Sequence, residues 1–232
     1  MLVALWKGFC YTLGALVIAF VAVQLWFFGN ILYLARVNPA STAFMEGRLD
    51  ALRAKNPKAA LRHQWVSYER VSIHLKRAVV VAEDAKFLDH EGFDWEAIQK
   101  AYEKNIVKGK IVAGGSTISQ QLAKNLFLSG KRTPWRKGQE ALITVMIEKV
   151  MTKRRIFEIY LNIIEWGNGV FGAEAAARHY FKTSAAYLDA EQAAQLAAMV
   201  PKPRYYDRVR YTPLLERRTG IILERMYYVE VP

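Results

Sequence analysis

Side chains that could transfer a proton are concentrated in the segment AEDAKFLDHEGFD, residues 82–94. Glu83 follows the apolar run 78–82, which predicts a helix buried on most sides. Partial burial and the negative end of that helix would both raise the pKa of the Glu83 carboxyl, toward the range a general base needs. The alternative is a solvated helix end with a charge cluster, and His90 alone is more typical of a structural histidine.

A second segment, GGSTISQQLAKN at residues 114–125, concentrates hydrogen-bonding groups. Thr117 and Gln120 have the spacing of a capping box at the start of a helix. Gly114 and Gly115 precede it, where a close backbone approach or a positive φ is easily accommodated. Such a helix start attracts anions, although an ordinary capped helix after a glycine turn has the same pattern.

The predicted helix after Thr117 has two faces. Ile118 and Leu122 are expected to face the core. The side chains expected to face outward are those of Gln120, Gln121 and Lys124.

A third segment, RTPWRKGQEAL at residues 132–142, places cations around one carboxylate. Arg136 and Glu140 are four residues apart and share a helical face, and Lys137 lies close by. A pair of this kind is usually a weak surface ion pair. With Lys124 and Arg132 nearby in sequence, it could instead be a cationic pocket that encloses a carboxylate.

Composition limits the classes of partner. The chain has 232 residues and a formal net charge of +12, which favours an acidic partner such as nucleic acid, anionic lipid or a phosphorylated substrate. Its single cysteine, Cys10, excludes an intrachain disulfide and is compatible with any compartment.

The N-terminal stretch predicts an uncleaved membrane helix. No charged residue stands between Lys7 and Arg36, which is more than the roughly 20 residues that cross a hydrocarbon core. The stretch is too long for a signal peptide and shows no A-x-A-like cleavage site. Lys7 favours a cytoplasmic N-terminus, and a long following domain can be translocated despite its Lys and Arg residues. Aromatic side chains could form interfacial belts: Trp6, Tyr11, Trp26, Phe27 and Tyr33.

The rest of the chain reads as mostly α. Capping residues precede helical patterns at Ser72, Asp94, Thr133, Thr152, Asp189 and Thr212. Gly109 is expected to end the helix that Asp94 begins. Alternating strand patterns are nearly absent, and only QWVSYERVS, residues 64–72, could be extended.

Taken together, these segments resemble the family 51 glycosyltransferases, the peptidoglycan polymerases that work on lipid II. The resemblance covers residues 72–206 and keeps the family's order of motifs. The matching motifs are EDxxFxxHxGFD from Glu83, GGSTISQQLxKN from Gly114, RKxxE from Arg136, IxExYLN from Ile156 with WG and GVFG after it, and EQAAxL from Glu191. Because the chain ends soon after the last motif, it resembles the monofunctional members, and we expect no transpeptidase domain.

The resemblance implies a lysozyme-like, two-lobed α fold behind one N-terminal transmembrane helix. We expect residues 1–36 to hold the cytoplasmic tip and the membrane helix, 37–60 a stalk or connector, and 61–232 the glycosyltransferase domain. The smaller lobe is expected to dip into the membrane through residues 125–135, where apolar and basic side chains interleave.

The implied reaction is inverting transfer of a growing glycan from its lipid pyrophosphate to the GlcNAc 4-hydroxyl of the next lipid II. Glu83 would be the catalytic base and Glu140 the second catalytic carboxylate, which orients the pyrophosphate or helps to hold a divalent cation, Mg or Mn. No organic cofactor is implied. The residues expected to bind substrate are Asp84, His90, Ser116, Thr117, Gln120, Gln121, Lys124, Arg132, Arg136 and Lys137. Among these, Asp84 and His90 are expected to orient Glu83, whereas Tyr160, Asn162 and Trp166 are expected to be structural.

The implied partners are lipid II, the growing strand, inner-membrane lipid and other cell-wall synthesis proteins, and not nucleic acid. The implied location is the bacterial inner membrane, single-pass, with the catalytic domain in the periplasm. Two rivals stay open. One is an anchored lysozyme-like hydrolase, which needs a general acid rather than a cationic pyrophosphate pocket. The other is a non-catalytic protein that binds anionic lipid or nucleic acid through its charge.

Overall fold

The structure of the protein is a computed structural model that describes residues 2–110, 114–128, 130 and 133–232. The predictions that concern Arg132 therefore lie outside the described residues. The described chain forms two compact units, one that ends at Asn38 and one that extends from Pro39 to Pro232.

The first unit is a single apolar helix, α1 (Leu2–Leu34), of 33 residues. At 1.5 Å per residue it is about 50 Å long, which exceeds the roughly 30 Å of a hydrocarbon core. Within the described residues, it supplies the one segment long and apolar enough to cross a membrane, Leu5–Leu34. Most of its large apolar side chains are exposed, so an apolar surrounding would remove them from water. The helix fits a membrane anchor.

The second unit is mostly helical, as predicted. Its helices are α2 (Ala43–Arg53), α3 (Ile73–Glu83), α4 (Trp95–Lys108), α5 (Ile118–Phe127), α6 (Pro134–Val150), α7 (Lys153–Ile163), α8 (Ala173–Phe181), α9 (Ala190–Met199), α10 (Pro203–Val209) and α11 (Pro213–Arg225). Short 3-10 turns lie at Tyr68–Arg70, Ala185–Tyr187 and Met226–Tyr228. One small sheet has the order β1 (Arg62–His63), β3 (Val170–Phe171) and β2 (Glu165–Gly167), with β1 parallel and β2 antiparallel to β3.

The predicted helix starts are confirmed. Each predicted cap accepts a hydrogen bond from a backbone N–H in the first turn of its helix, which satisfies one of the free donors there. These caps are Ser72, Asp94, Thr117, Thr133, Thr152, Asp189 and Thr212. Gly109 ends α4 in the left-handed conformation, as predicted.

The structure differs from the sequence prediction in two short regions. The segment predicted as a connector contains α2, which Thr42 caps and which packs against α5. The segment predicted as extended instead holds the 3-10 turn Tyr68–Arg70, and β1 lies just before it. Strands of two or three residues are too short to show an alternating pattern, and only their pairing defines them.

The segment 125–135, predicted to dip into a membrane, is only partly available for that role. Leu126 and Leu128 are buried in the second unit, whereas Trp135 is exposed. The division of the unit into two lobes stays a prediction.

Packing fixes the two helices that matter most for function. The apolar side chains of α3 are at most 1% exposed at Leu75, Val79 and Val80. Helix α3 packs against α9 and α11, and α5 packs against α6 and α7. Four buried alanines on α9 permit close approach: Ala193, Ala194, Ala197 and Ala198. The C-terminal end of α3 and the start of α5 are therefore held by the core.

Gly115 provides a test of how the start of α5 is positioned. A Cβ at Gly115 would lie 2.8 Å from the Cα of Ile98 and 2.9 Å from the carbonyl oxygen of Ala97, both on the α4 backbone. We expect Gly115→Ala to lower the free energy of unfolding by about 1–3 kcal/mol, because neither backbone atom can move away cheaply. Chemical denaturation of the purified protein measures the change.

Gly114→Ala is the matched control, since a Cβ there meets no atom within 4 Å. The two variants should therefore differ in stability. Equal stability of the two proteins would contradict the packing of Gly115 against α4.

Candidate active site

Glu83 is the last residue of α3 and remains partly accessible to solvent. Burial of the carboxyl raises its pKa, and the nearby Asp84 carboxylate adds to this effect. A hydrogen bond from Gln121 and the charges of Arg218 and Lys124 act in the opposite direction. The direction predicted from the sequence is therefore confirmed, and burial is its main cause.

Gln121 connects Glu83 to the core through two hydrogen bonds. Its side-chain amide nitrogen donates to Oε2 of Glu83 at 2.8 Å, and its Oε1 accepts from the hydroxyl of Tyr160 at 3.0 Å. Tyr160 is fully buried, which raises the pKa of its hydroxyl well above the usual range, so the hydroxyl is a neutral donor. This donor holds the Gln121 amide with its N–H groups toward Glu83.

Asp84 joins the end of α3 to the start of α5. Its Oδ2 accepts a hydrogen bond from the backbone N–H of Ile118 at 2.9 Å, in the first turn of α5. A carboxylate is favoured there by the positive end of the helix dipole. Nε2 of His90 lies 2.9 Å from Oδ1 of Asp84, and the backbone N–H of Gly92 donates to Nδ1 of His90. The ring proton therefore lies on Nε2 and is donated to Asp84.

Thr117 and Gln120 complete this arrangement as the predicted capping box. The Thr117 hydroxyl also donates to the carbonyl oxygen of Gly92 at 2.7 Å. Gln120 is 3% exposed, so the prediction that it faces outward is wrong: its side chain turns back to bond the Thr117 backbone. Both residues act on the start of α5, and their contact with a substrate stays a prediction.

Helix α6 places two cations on one buried carboxylate. The Glu140 side chain is 4% exposed, and its two oxygens bond separately to Arg136, at 2.7 Å, and to Lys137. Of the two alternatives that the sequence left open, the structure shows a carboxylate enclosed by cations and not a weak surface ion pair. Lys137 also reaches the exposed Ser116 hydroxyl, at 3.5 Å. Arg136 keeps a buried Nε that no described residue bonds.

The charge of Lys124 interacts with the carboxylates of both Glu83 and Glu140. Burial lowers the pKa of its ammonium, while the charges of Glu140 and Glu83 raise it. No described residue forms a hydrogen bond or an ion pair with this ammonium. Lys124 is therefore a cation held in place without a fixed partner.

Two cavities adjoin these side chains. The first, here called the basic cavity, has a volume of about 320 Å³ and is lined by Gln121, Lys124 and Arg136, together with Phe44, Glu165 and Arg204. The second, here called the glutamate cavity, has a volume of about 290 Å³ and is lined by Glu83, Asp84 and Ser116. Gln121, which lines the first cavity, bonds Glu83, which lines the second. Groups bound in the two cavities would therefore lie on either side of the Gln121–Glu83 hydrogen bond.

Comparison with known proteins identifies the family. Residues 50–227 match the family described as Transglycosylase, which is more than half of the chain. The chain belongs to the transglycosylase family. It is thus an enzyme that transfers glycosyl groups, and the non-catalytic alternative is excluded.

Relatives cover nearly the whole chain. The chain is 66% identical over 227 residues to a biosynthetic peptidoglycan transglycosylase of Methylobacillus flagellatus, with 98% of the chain and 97% of the relative covered. It is 61% identical over 227 residues to the protein of the same name from Nitrosospira multiformis, with the same coverage. It is 62% identical over 220 residues to that of Chromobacterium violaceum, with 95% of the chain and 96% of the relative covered.

The divalent cation predicted at Glu140 stays a prediction, because the described residues offer it no ready-made protein site. Both oxygens of Glu140, the predicted ligand, already bond Arg136 and Lys137. Among the described residues, no group of three or more His, Cys, Asp or Glu side chains could hold a metal ion. A cation at Glu140 would compete with two positive charges at contact distance. No catalytic step is therefore assigned to a metal.

The sequence reasoning missed two residues that act on Glu83. Tyr160, which is expected to be structural, also orients Gln121 through its hydroxyl. Arg218, on α11, lies beyond the last recognised motif, and its charge lowers the pKa of Glu83. The motif IxExYLN could have drawn attention to Tyr160, whereas no spacing in the sequence relates Arg218 to Glu83.

Replacing Tyr160 tests the hydrogen-bonded chain to Glu83. Tyr160→Phe removes the hydroxyl that orients Gln121, so the amide donates less often to Glu83 and the pKa of Glu83 rises further. Because a general base must be ionised, glycosyl transfer is lost as pH falls through this pKa. We expect the acid limb of the pH–rate profile to move to higher pH in the variant.

Tyr68→Phe is the control for this measurement, because Tyr68 is also buried but its hydroxyl donates to Pro232. Its profile should coincide with that of the unmodified enzyme. An unshifted acid limb in Tyr160→Phe would contradict the orienting role.

The raised pKa of Glu83 also leads to a prediction about stability. A carboxyl whose pKa is raised by folding stabilises the folded state at low pH, and this contribution is lost as pH rises through the folded-state pKa. We therefore expect Glu83→Gln to raise the melting temperature at pH values above the folded-state pKa of Glu83, and to have less effect in acid. Thermal unfolding in detergent across pH measures this, and a variant that is less stable at every pH would contradict a burial-raised pKa.

Proposed function

We propose that this enzyme polymerises lipid II into linear peptidoglycan strands. In this proposal a growing strand is transferred from its lipid pyrophosphate to the GlcNAc 4-hydroxyl of the next lipid II, with inversion at the anomeric carbon. The observation that carries the proposal is the pairing of Glu83, whose pKa is raised, with cations around the adjoining basic cavity. The names of the relatives support peptidoglycan synthesis as the process.

Glu83 acts as the base toward the acceptor. Its Oε2 accepts from Gln121, whereas no described residue donates to Oε1, so Oε1 is the oxygen that takes the hydroxyl proton. The acceptor oxygen forms a bond to the anomeric carbon as that carbon's bond to the pyrophosphate oxygen breaks. The electron pair of the broken bond leaves on the pyrophosphate, and the hydroxyl proton passes to Glu83.

The cationic side chains receive the departing pyrophosphate. Lys124 offers an ammonium without a fixed partner, and Arg136 and Lys137 share one carboxylate between two positive charges. Three cations against one carboxylate leave a positive site, which stabilises an anion as its charge develops. Arg132 is proposed as a fourth cation, and Glu140 is proposed to orient Arg136 and Lys137 rather than to react.

The other predicted site residues are proposed to have one of two roles, contact with the substrate or placement of Glu83. Ser116 is exposed and lines the glutamate cavity, which suits contact with the acceptor sugar. Asp84 and His90 are mostly buried and act through the placement of Glu83.

A hydrolase that cleaves glycan is the second candidate, because a glutamate with a raised pKa also suits a general acid. Two observations favour transfer. The cluster of Lys124, Arg136 and Lys137 has no use in protonating a sugar leaving group, and the relatives are named as biosynthetic enzymes.

Reaction with lipid II separates the two functions. Purified enzyme should convert lipid II into polymer, and Glu83→Gln should reduce the rate by at least about a hundredfold while it still binds substrate. Shortening of preformed glycan by the unmodified enzyme would favour the hydrolase. Full turnover in Glu83→Gln would remove Glu83 from its proposed role.

Lys124→Ala tests how the pyrophosphate is held. Loss of an ammonium in a confined site should lower kcat/KM for lipid II by about tenfold to a thousandfold, with folding retained. Lys104→Ala is the control, since Lys104 is exposed on α4 and lines neither cavity. Equal kinetics of the two variants would contradict the role of Lys124.

We also propose a single-pass protein of the bacterial inner membrane with a cytoplasmic N-terminus and a periplasmic catalytic domain. Helix α1 supports the anchor, and Lys7 supports the orientation. Exposed apolar side chains offer further contact with lipid, among them Trp95, Tyr102, Ile106 and Trp135. Association with other cell-wall synthesis proteins is part of the proposal, and nucleic acid is not.

We propose that the product is not cross-linked by this enzyme. The support is that the relatives, matched over 97% of their length, carry the name of a transglycosylase alone. Strands made from lipid II should therefore lack peptide cross-links when analysed after muramidase digestion.

A further inference from the structure

Three cavities of the second unit are linked through shared or hydrogen-bonded lining residues, beginning at the basic cavity. Arg204 lines the basic cavity and also a cavity of about 500 Å³, which Asp207 and Arg208 line as well. Asp207 accepts from Nε2 of His179 at 2.8 Å, and His179 lines a third cavity of about 370 Å³ beside β1 and α8. The surface thus extends from the basic cavity over α10 to α8.

This surface has an excess of positive charge. Its exposed cations are Arg62, Arg178, Lys182, Arg204, Arg208 and Arg210. Its acidic side chains are fewer, and each is already bonded. Asp207 bonds His179 and pairs with Arg210, Glu174 pairs with Arg178, and Glu165 pairs with Arg48 and Arg204. Three cations of the surface form no ion pair with a described acidic side chain: Arg62, Lys182 and Arg208.

We propose that this surface, here called the basic track, binds the carboxylate-bearing peptides of the nascent strand and guides the strand away from the basic cavity. The inference rests on the proposed function. The acceptor hydroxyl must reach Glu83, so the acceptor occupies the glutamate cavity. The strand is attached to the pyrophosphate at Lys124 and Arg136 and therefore continues from the basic cavity, where Arg204 begins the track.

Exposed ion pairs are weak enough to let a bound strand move. A single exposed ion pair contributes only about 0.2–1 kcal/mol, so no one contact holds the strand in a fixed register. Several such contacts together slow dissociation while the strand advances. The track would thereby lengthen the product without acting on the bond-forming step.

An anionic membrane surface is the competing occupant of any basic patch. The observations favour the strand, because the cations border cavities that follow one another from the basic cavity. A flat lipid surface would need neither the cavities nor this arrangement.

The test uses the full-length enzyme and a triple variant, Arg62→Gln with Lys182→Gln and Arg208→Gln, because these three cations form no ion pair with a described acidic side chain. With lipid II that carries free peptide carboxylates, we expect mean strand length to fall by about fivefold, with the first bonds formed at an unchanged rate. With lipid II whose peptide carboxylates are amidated, the unmodified enzyme should already make short strands and the variant should make no shorter ones. A control triple variant, Lys55→Gln with Lys58→Gln and Arg217→Gln, removes the same charge from exposed positions outside these cavities and should match the unmodified enzyme.

Binding of preformed, uncross-linked strands provides a readout that does not need polymerisation. The unmodified enzyme should bind native strands more tightly than amidated ones, by about fivefold, and the track variant should lose the difference. Failure to polymerise lipid II with this binding intact would overturn the proposed function alone. Equal strand lengths and equal binding in all proteins would overturn the track. So would loss of binding to anionic lipid vesicles in the track variant with its strand length unchanged.

Discussion

The site depends on one buried carboxylate that bonds across two helices. Asp84 directly follows α3 and accepts from the first turn of α5, while His90 donates to it from the following loop. The positive end of α5 offsets part of the cost of burying this charge. Because the junction is closed, Glu83 at the end of α3 meets Gln121 on α5. Without the hydrogen bond from Ile118 to Asp84, the position of Glu83 on α3 relative to the cationic residues on α5 and α6 would not be fixed.

The pKa of Glu83 results from a balance of opposing effects. Burial raises it, whereas the Gln121 amide and the charges of Arg218 and Lys124 lower it. Without these partners the pKa of the buried carboxyl would be higher still, whereas an exposed carboxyl would have a lower pKa and be a weaker base. Lys124 connects the two halves of the reaction, because the same ammonium helps to keep Glu83 ionised and faces the site proposed for the pyrophosphate.

The sequence predicted the helices and their starts because those features depend on local chemistry. A threonine or aspartate with its first-turn partner is recognisable without tertiary structure, as at Thr117 and Asp189. The orientation of Gln120 could not be read in this way, because capping and exposure predict opposite directions for the same side chain. Likewise, α2 has a weak apolar pattern and is defined by its packing on α5.

Residues that contribute across long sequence separations escaped the prediction for the same reason. Tyr160 reaches Gln121 only because α5 packs against α7, and Arg218 affects Glu83 only because α11 packs against α3. The motifs placed the chemistry in the right segments, and the fold determined which members of each motif face the cavities and which support the backbone.

Direct titration of the Glu83 carboxyl tests the central claim. Carbon NMR of the enzyme labelled at glutamate, assigned by comparison with Glu83→Gln, gives its pKa, and the rate of lipid II polymerisation across pH gives the acid limb. The account predicts that this carboxyl titrates above the range of an ordinary glutamate and that its titration coincides with the acid limb. An ordinary pKa, or a titration that leaves the rate unchanged, would contradict the account.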